Sequence, residues 1–249
     1  MSKSRIDRLL VERGLVVSRE RAQAMILAGR VLVNEQKIEK SGTAVDSEVT
    51  IRLLGDEMRY VSRGGLKLER ALEYWKIDVA GATCMDVGTS TGGFTDCLLQ
   101  HGAALVVAVD TGYGQIDIRL RGDARVRLME KTNARYLEPE GVPEPVEMVV
   151  MDVSFISATL VLPAVVHAAW VGKSVPRKEL VVLVKPQFEV GRENVGKGGI
   201  VRDPDAQQAA VEKVKAAVEA LGACEMDVIE SPILGTEGNR EFLLHAKFQ

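Results

Sequence analysis

Two charged residues stand where apolar runs stop. In Val146-Glu-Met-Val-Val-Met-Asp152 a carboxylate follows the run, and in Glu179-Leu-Val-Val-Leu-Val-Lys185 an ammonium follows five apolar residues. An ammonium so placed is partly desolvated, and a buried cation without a partner is costly. Asp152 and Lys185, on adjacent strands, are therefore expected to pair and to manage a proton or a developing charge. A third feature binds rather than reacts. The run Thr83-Cys-Met-Asp86-Val leads into Gly88-Thr89-Ser-Thr-Gly92-Gly93-Phe94, with a helix expected from about Thr95. Glycines let backbone approach a ligand closely, and a helix start offers free N–H groups. A phosphate loop would need a lysine after the last glycine, and a dinucleotide fingerprint would need glycines two apart; neither is present. Asp110 ends the next apolar run, where a carboxylate can accept two hydrogen bonds from a ribose diol. Asn133, after the strand at 126–129, either meets an adenine edge or caps its own loop.

These residues need a scaffold that brings strand ends together. From Ala82 onward the pattern alternates strand and helix, which predicts an α/β fold with a mostly parallel sheet covered on both faces. Open sheets of that kind place their chemistry at the carboxyl ends of the strands. The chain closes with Glu225–Ser231, a loop at 232–239 and Arg240–Phe248, a unit suited to an antiparallel last strand with Glu241 at its start. Ahead of the sheet, Leu66, Leu68, Ala71, Leu72 and Trp75 mark a helix. The Gly-rich stretch 190–202 carries Arg192, Lys197 and Arg202, and reads either as a lid whose cations could meet phosphates or as a mobile surface loop.

The first sixty residues follow a different pattern. Ile6, Leu9 and Leu10 predict a short helix stopped by Gly14, and Ser18 caps a second whose stripe is Ala22, Met25 and Ile26, ended by Gly29. Val31–Val33, a turn at Asn34-Glu35, and the alternating Val49, Ile51 and Leu53 predict small strands. Residues 1–40 hold nine Lys/Arg against five acids, although the whole chain has a net charge of -3. The polar switch near Gly55–Arg63 divides the chain into domains at 1–58 and 64–249, joined by a linker at 59–63.

A chain of 249 residues, 46% hydrophobic, can bury a core. No apolar run approaches the roughly 18 residues of a membrane span, and the charged N-terminus has no apolar signal region. A soluble cytoplasmic protein is expected. Cys84, Cys97 and Cys224 are odd in number and form no C-x-x-C pair, so they read as buried thiols, without a zinc or other metal site.

Several stretches carry a family resemblance. Arg5-Ile-Asp-Arg-Leu-Leu, Ser18-Arg-Glu-Arg-Ala and Ile26-Leu-Ala-Gly-Arg-Val-Leu-Val-Asn resemble the S4 RNA-binding module. Asp86 with the G-x-x-x-G-G turn resembles motif I of S-adenosylmethionine-dependent methyltransferases. Lys67, Asp152, Lys185 and Glu241 match the K-D-K-E tetrad of FtsJ-like RNA 2′-O-methyltransferases. With Tyr60-Val-Ser-Arg-Gly-Gly-Leu-Lys67, Asp152-Val-Ser-Phe-Ile-Ser and Val184-Lys-Pro-Gln-Phe-Glu189, the whole chain resembles the TlyA type (hemolysin A family), an S4 module joined to an FtsJ-like domain.

The resemblance implies a Rossmann-like class I methyltransferase sheet, mostly parallel with an antiparallel last strand, behind a small α+β S4 domain. It implies S-adenosylmethionine as cofactor and 2′-O-methylation of cytidine in ribosomal RNA. The partner would be that RNA or an assembled subunit, with no membrane and no metal involved. The tetrad residues would be catalytic; Asp86, Gly88, Thr89, Gly92, Gly93, Phe94, Asp110 and Asn133 would bind cofactor. Arg5, Arg8, Arg19, Arg21, Arg30, Arg63, Arg192, Lys197 and Arg202 would meet RNA. Lys185 would act as neutral base or as a cation facing a developing alkoxide, roles with opposite protonation states. The alternatives are an S4-containing ribosome assembly factor with a silent methyltransferase fold and, disfavoured, a hemolysin.

Overall fold

The computed structural model describes residues 3–16, 18–54, 59–235 and 237–249. The chain divides into two units, Met1–Glu57 and Met58–Gln249. The expected boundary stretch at 55–58 lies outside the described residues.

The first unit contains β1 (Lys3–Arg5), α1 (Ile6–Glu12), α2 (Arg19–Leu27), β2 (Val31–Val33), β3 (Gln36–Lys37), β4 (Ala44–Asp46) and β5 (Ile51–Leu53). Gly14, at φ +66°, follows the end of α1, and the Ser18 hydroxyl caps α2 by accepting from the Arg21 amide at 3.2 Å. Asn34 and Glu35 both take positive φ, 49° and 65°, and turn β2 into β3. Ile6, Leu10, Ala22, Ile26 and Val31 are fully or almost fully buried and make the core. The last strand starts at Ile51 and leaves Val49 outside it. The pair β1 and β4 was not expected, because three-residue strands carry too short an apolar period to announce themselves.

The second unit holds α3 (Gly64–Trp75), β6 (Thr83–Val87), α4 (Gly93–Gln100), β7 (Leu105–Val109), α5 (Ile118–Arg121), β8 (Val126–Met129) and β9 (Met148–Met151). After these come α6 (Leu162–Trp170), β10 (Lys178–Val184), α7 (Pro186–Glu189), α8 (Pro204–Ala220), β11 (Ala223–Glu230) and β12 (Phe242–Phe248). The seven strands lie in the order β11-β12-β10-β9-β6-β7-β8. Strands β6 to β10 run parallel, and β12 is antiparallel to both of its neighbours. Alternation along each strand sorts the core into two layers. Met85, Val149 and Met151 face the layer with α6 and α8, while Cys84, Met148 and Val150 face α3 and α4. Chain order reverses between β6 and β9, which opens a crevice at their carboxyl ends.

Three sequence expectations change here. Residues 59–63 are part of the second unit, not a free linker. The Arg59 carbonyl accepts from the Gln100 amide at 2.9 Å, Tyr60 is buried with its hydroxyl donating to Glu69 at 2.9 Å, and the Val61 amide donates to Asp96 at 2.8 Å. Gly65 leaves room for that ring, since a Cβ there would stand 2.3 Å from it. Helix α4 starts at Gly93, because Gly92 at φ +97° turns the chain two residues earlier than expected. Cys84 and Cys97 are buried, and burial pushes both thiols up to about 12, but Cys224 is exposed on the edge strand β11.

Asp86 is also placed differently. It is fully buried within β6, and its Oδ2 accepts the Thr95 hydroxyl of α4 at 2.6 Å, so it braces the helix behind the glycine turn. Burial pushes its carboxyl up to about 7. Because the folded value exceeds the ordinary carboxylate value, folding takes up a proton, and stability falls as pH rises from about 4 through 7. Asp86→Asn is expected to raise the melting temperature at pH 8 and to change it little at pH 4. Thermal unfolding at both pH values checks this, and equal shifts would contradict it.

Candidate active site

The carboxyl ends of β9 and β10 emerge side by side, since Val182 of β10 is in register with Met151 of β9. The next residue of β9 is Asp152, and Lys185 follows Val184, so the two side chains meet: Lys185 Nζ lies 2.6 Å from Asp152 Oδ1. Lys185 Nζ also donates to the Ser154 hydroxyl at 2.7 Å. Because β12 runs antiparallel, its first residue Phe242 sits opposite Val184, and Glu241 arrives at the same edge. Helix α3 supplies Lys67, which pairs with Glu241; their side chains are only 10% and 3% exposed. All four charged groups line one cavity of about 290 Å³, together with Arg63, Gly88 and Phe94.

A second cavity, of about 430 Å³, shares Gly88, Ser90, Asp152 and Ser154 with the first. Gly88 sits at φ +86°, and a Cβ there would stand 2.4 Å from the Asp152 carbonyl oxygen; only glycine lets the turn lie this close to the end of β9. Asp110 lines the second cavity, and its two oxygens accept from the amides of Ser90 at 2.7 Å and Gly112 at 2.6 Å. Each oxygen keeps a further lone pair, so the carboxylate is oriented yet still able to accept from a diol. Ile156 and Val161 add apolar wall. Asn133 combines both readings left open by the sequence. Its Oδ1 caps a short turn by accepting from the Arg135 amide at 3.1 Å, and the side chain also lines the cavity.

The other expected ligand residues divide. Thr89, Gly93 and Phe94 line the first cavity, whereas Asp86 and Gly92 line neither. Gly92 instead makes room for Leu120, which a Cβ would meet at 2.3 Å. Arg63 lines the first cavity, and Arg192, Lys197 and Arg202 are exposed on the 190–202 segment. The end of that segment is pinned: buried Asn239 accepts from the Val201 amide at 2.9 Å and donates to the Gly199 carbonyl at 2.8 Å. In the first unit Arg5, Arg8, Arg19, Arg21 and Arg30 are all exposed, with Arg5 and Arg19 both held by Asp7.

Sequence reasoning missed Ser154, Glu189 and Asn239 as individual residues. Glu189 is 6% exposed; it accepts from the Ala158 amide at 2.6 Å and the Ser157 hydroxyl at 2.5 Å, tying the turn after Lys185 to the loop after Asp152. Both residues flank the catalytic candidates in the motifs read from the chain, at two residues from Asp152 and four from Lys185. Between them Phe155 takes φ +64°, is 93% exposed, and packs its ring 5.4 Å from Phe188. A bulky side chain at positive φ is held against its own preference by its surroundings.

The chain is similar to several known proteins. Residues 60–248 match the FtsJ-like methyltransferase model, and residues 4–51 match the S4 domain. YqxC of Bacillus subtilis, provisionally named an rRNA methyltransferase, is 47% identical over 98% of this chain and 85% of its own. The 16S/23S rRNA (cytidine-2′-O)-methyltransferase TlyA of Mycobacterium tuberculosis is 45% identical over 99% of this chain and 91% of its own. A solved structure from Streptococcus thermophilus, provisionally named a hemolysin, superposes with a TM-score of 0.72 at 43% identity, covering 100% of this chain and 90% of that one. Among the described residues no helix is long and apolar enough to cross a membrane. The chain thus belongs to the FtsJ-like methyltransferase family, with an S4 domain ahead of the methyltransferase domain.

Proposed function

We propose that the chain transfers the methyl group of S-adenosylmethionine to the 2′-hydroxyl of a cytidine in ribosomal RNA. The observation that carries this reading is the meeting of Lys67, Asp152, Lys185 and Glu241 in a cavity that shares a wall with the cavity at the glycine turn. The cytidine and the ribosomal substrate rest on the likeness to TlyA. The residues present fit the cofactor: a glycine turn whose residue 88 walls both cavities, an oriented carboxylate for the ribose diol at Asp110, an amide at Asn133 for the adenine edge, and apolar wall at Ile156 and Val161.

When bound, S-adenosylmethionine supplies an electrophilic methyl carbon on a sulfonium. The protein's task is to hold the hydroxyl oxygen in line with that carbon and to manage one proton. Lys185 is the group for the 2′-oxygen; Asp152 and Ser154 fix its Nζ from two sides. The buried Lys67–Glu241 pair lines the same cavity and contributes to its charge balance. Exposed Phe155 offers a flat face at the rim of the second cavity, suited to stacking a nucleobase. Arg63, Arg192, Lys197 and Arg202 in the methyltransferase domain, and the arginines of the S4 domain, offer cations to phosphates, a contact that sets affinity more than sequence choice.

Labelled methyl transfer from S-adenosylmethionine to ribosomal RNA or isolated subunits tests the reading. RNA binding without any transfer would instead indicate an assembly factor with a silent domain. Lys185→Ala is expected to lower kcat by about 10²–10⁴-fold with RNA affinity unchanged, the range for loss of a proton-managing group. Gly88→Ala is expected to abolish the rise in melting temperature that S-adenosylmethionine produces in the wild type, since the new methyl group would force the turn away from the Asp152 backbone and distort the wall that the two cavities share.

A further inference from the structure

In the S4 domain one acid is treated differently from its neighbours. Asp7, in the first turn of α1, has a side chain that is 0% exposed, yet its partners are two half-exposed arginines. Its Oδ1 accepts from Arg5 Nε at 3.0 Å, and its Oδ2 accepts from Arg5 Nη2 at 2.9 Å, from Arg19 Nε at 3.0 Å and from Gln23 Nε2 at 3.1 Å. Arg5 lies in β1, while Arg19 and Gln23 lie one turn apart on α2, so a single carboxylate gathers cations from separate elements. The hydrogen bonds from Arg5 hold this carboxyl well below the usual carboxylate range.

The way these bonds are made decides what remains free. The carboxylate uses the Nε edge of each guanidinium. Among the described residues, Nη1 of Arg5 and both Nη atoms of Arg19 donate to no protein acceptor. Arg5 also lies along the Gly42 backbone, where a Cβ would touch its guanidinium at 3.6 Å. Two long side chains that would otherwise sample many rotamers are thus held with their outer donors facing solvent.

We propose that Asp7 is a positioning residue for RNA binding, fixing Arg5 and Arg19 as a preformed pair of phosphate donors. This rests on the reading of the S4 domain as the RNA-binding part. Two effects compete. The carboxylate repels phosphate, so its removal would strengthen binding by charge alone. Its removal would also release the rotamers of both arginines, and ordering them would then count against binding. The proposal is that the second effect wins.

The test uses the full-length chain and purified ribosomal RNA, with affinity measured across a salt series. Asp7→Asn, nearly isosteric and adding one unit of positive charge, is expected to weaken binding about tenfold through lost preorganisation. KM for RNA rises with it and kcat stays unchanged. Binding as tight as wild type or tighter overturns the proposal. A general loss of structure is separated by a cycle. In an Arg5→Gln/Arg19→Gln background, Asp7→Asn is expected to add no further loss, whereas a merely structural role would still show one. If Asp7→Asn does not fold by circular dichroism, Arg19→Lys decides. It keeps the charge but has no Nε–H for Asp7; weaker binding with an unchanged salt slope supports the proposal, and unchanged affinity overturns it. The double Gln variant also separates the two levels. If it binds RNA like wild type, the RNA reading of these arginines fails, whereas weakened binding there with none in Asp7→Asn sinks only the positioning role.

Discussion

A mostly buried ammonium is tolerable only beside a carboxylate, and the charged edge of this sheet is arranged around that constraint twice. Lys185 meets Asp152 across neighbouring parallel strands, and Lys67 meets Glu241 between a helix and the antiparallel strand. Both pairings depend on register. A one-residue slip of β12 against β10 would carry Glu241 away from Lys67 and turn its own apolar set to the wrong face. The insertion of an antiparallel strand between β10 and β11 therefore does more than close the sheet. It delivers the fourth charge.

The glycine turn and the charged cavity are one device. The backbone of Gly88 lies against the Asp152 carbonyl, so the strand that ends in the turn and the strand that ends in the acid touch at the crevice where chain order reverses. A donor seated at the turn and an acceptor seated among the charges would meet across that shared wall, as an in-line transfer needs. The S4 domain uses the same logic on a smaller core, with a buried acid holding cations in place.

Much of this was legible from residue order. The strand ends at Asp110, Asp152 and Lys185, the glycine turn, and the helix carrying Lys67 follow from periodicity and from the family resemblance. Asp86 lines neither cavity: strand alternation says that a side chain faces inward, not what lies beyond it, and here it is fully buried against Thr95 of α4. Residues 59–63 looked like a linker because their polar composition hid the single buried ring of Tyr60. Glu189 and Asn239 were passed over as ordinary polar residues, since their partners are backbone groups of distant loops, which no local pattern announces. Cys224 reads like any small apolar residue until the sheet order shows that its strand is the outermost one.

That last position has a practical side. Cys84 and Cys97 are enclosed in the core, while Cys224 is open to solvent beside the irregular step between Ala223 and Glu225. Ala223 pairs with Phe248, at the opposite end of the ladder from Phe242 and the tetrad. The native chain thus carries one accessible thiol, remote from its own chemistry. A maleimide dye attached there would label the chain without any engineered cysteine and at a distance from the charged cavity.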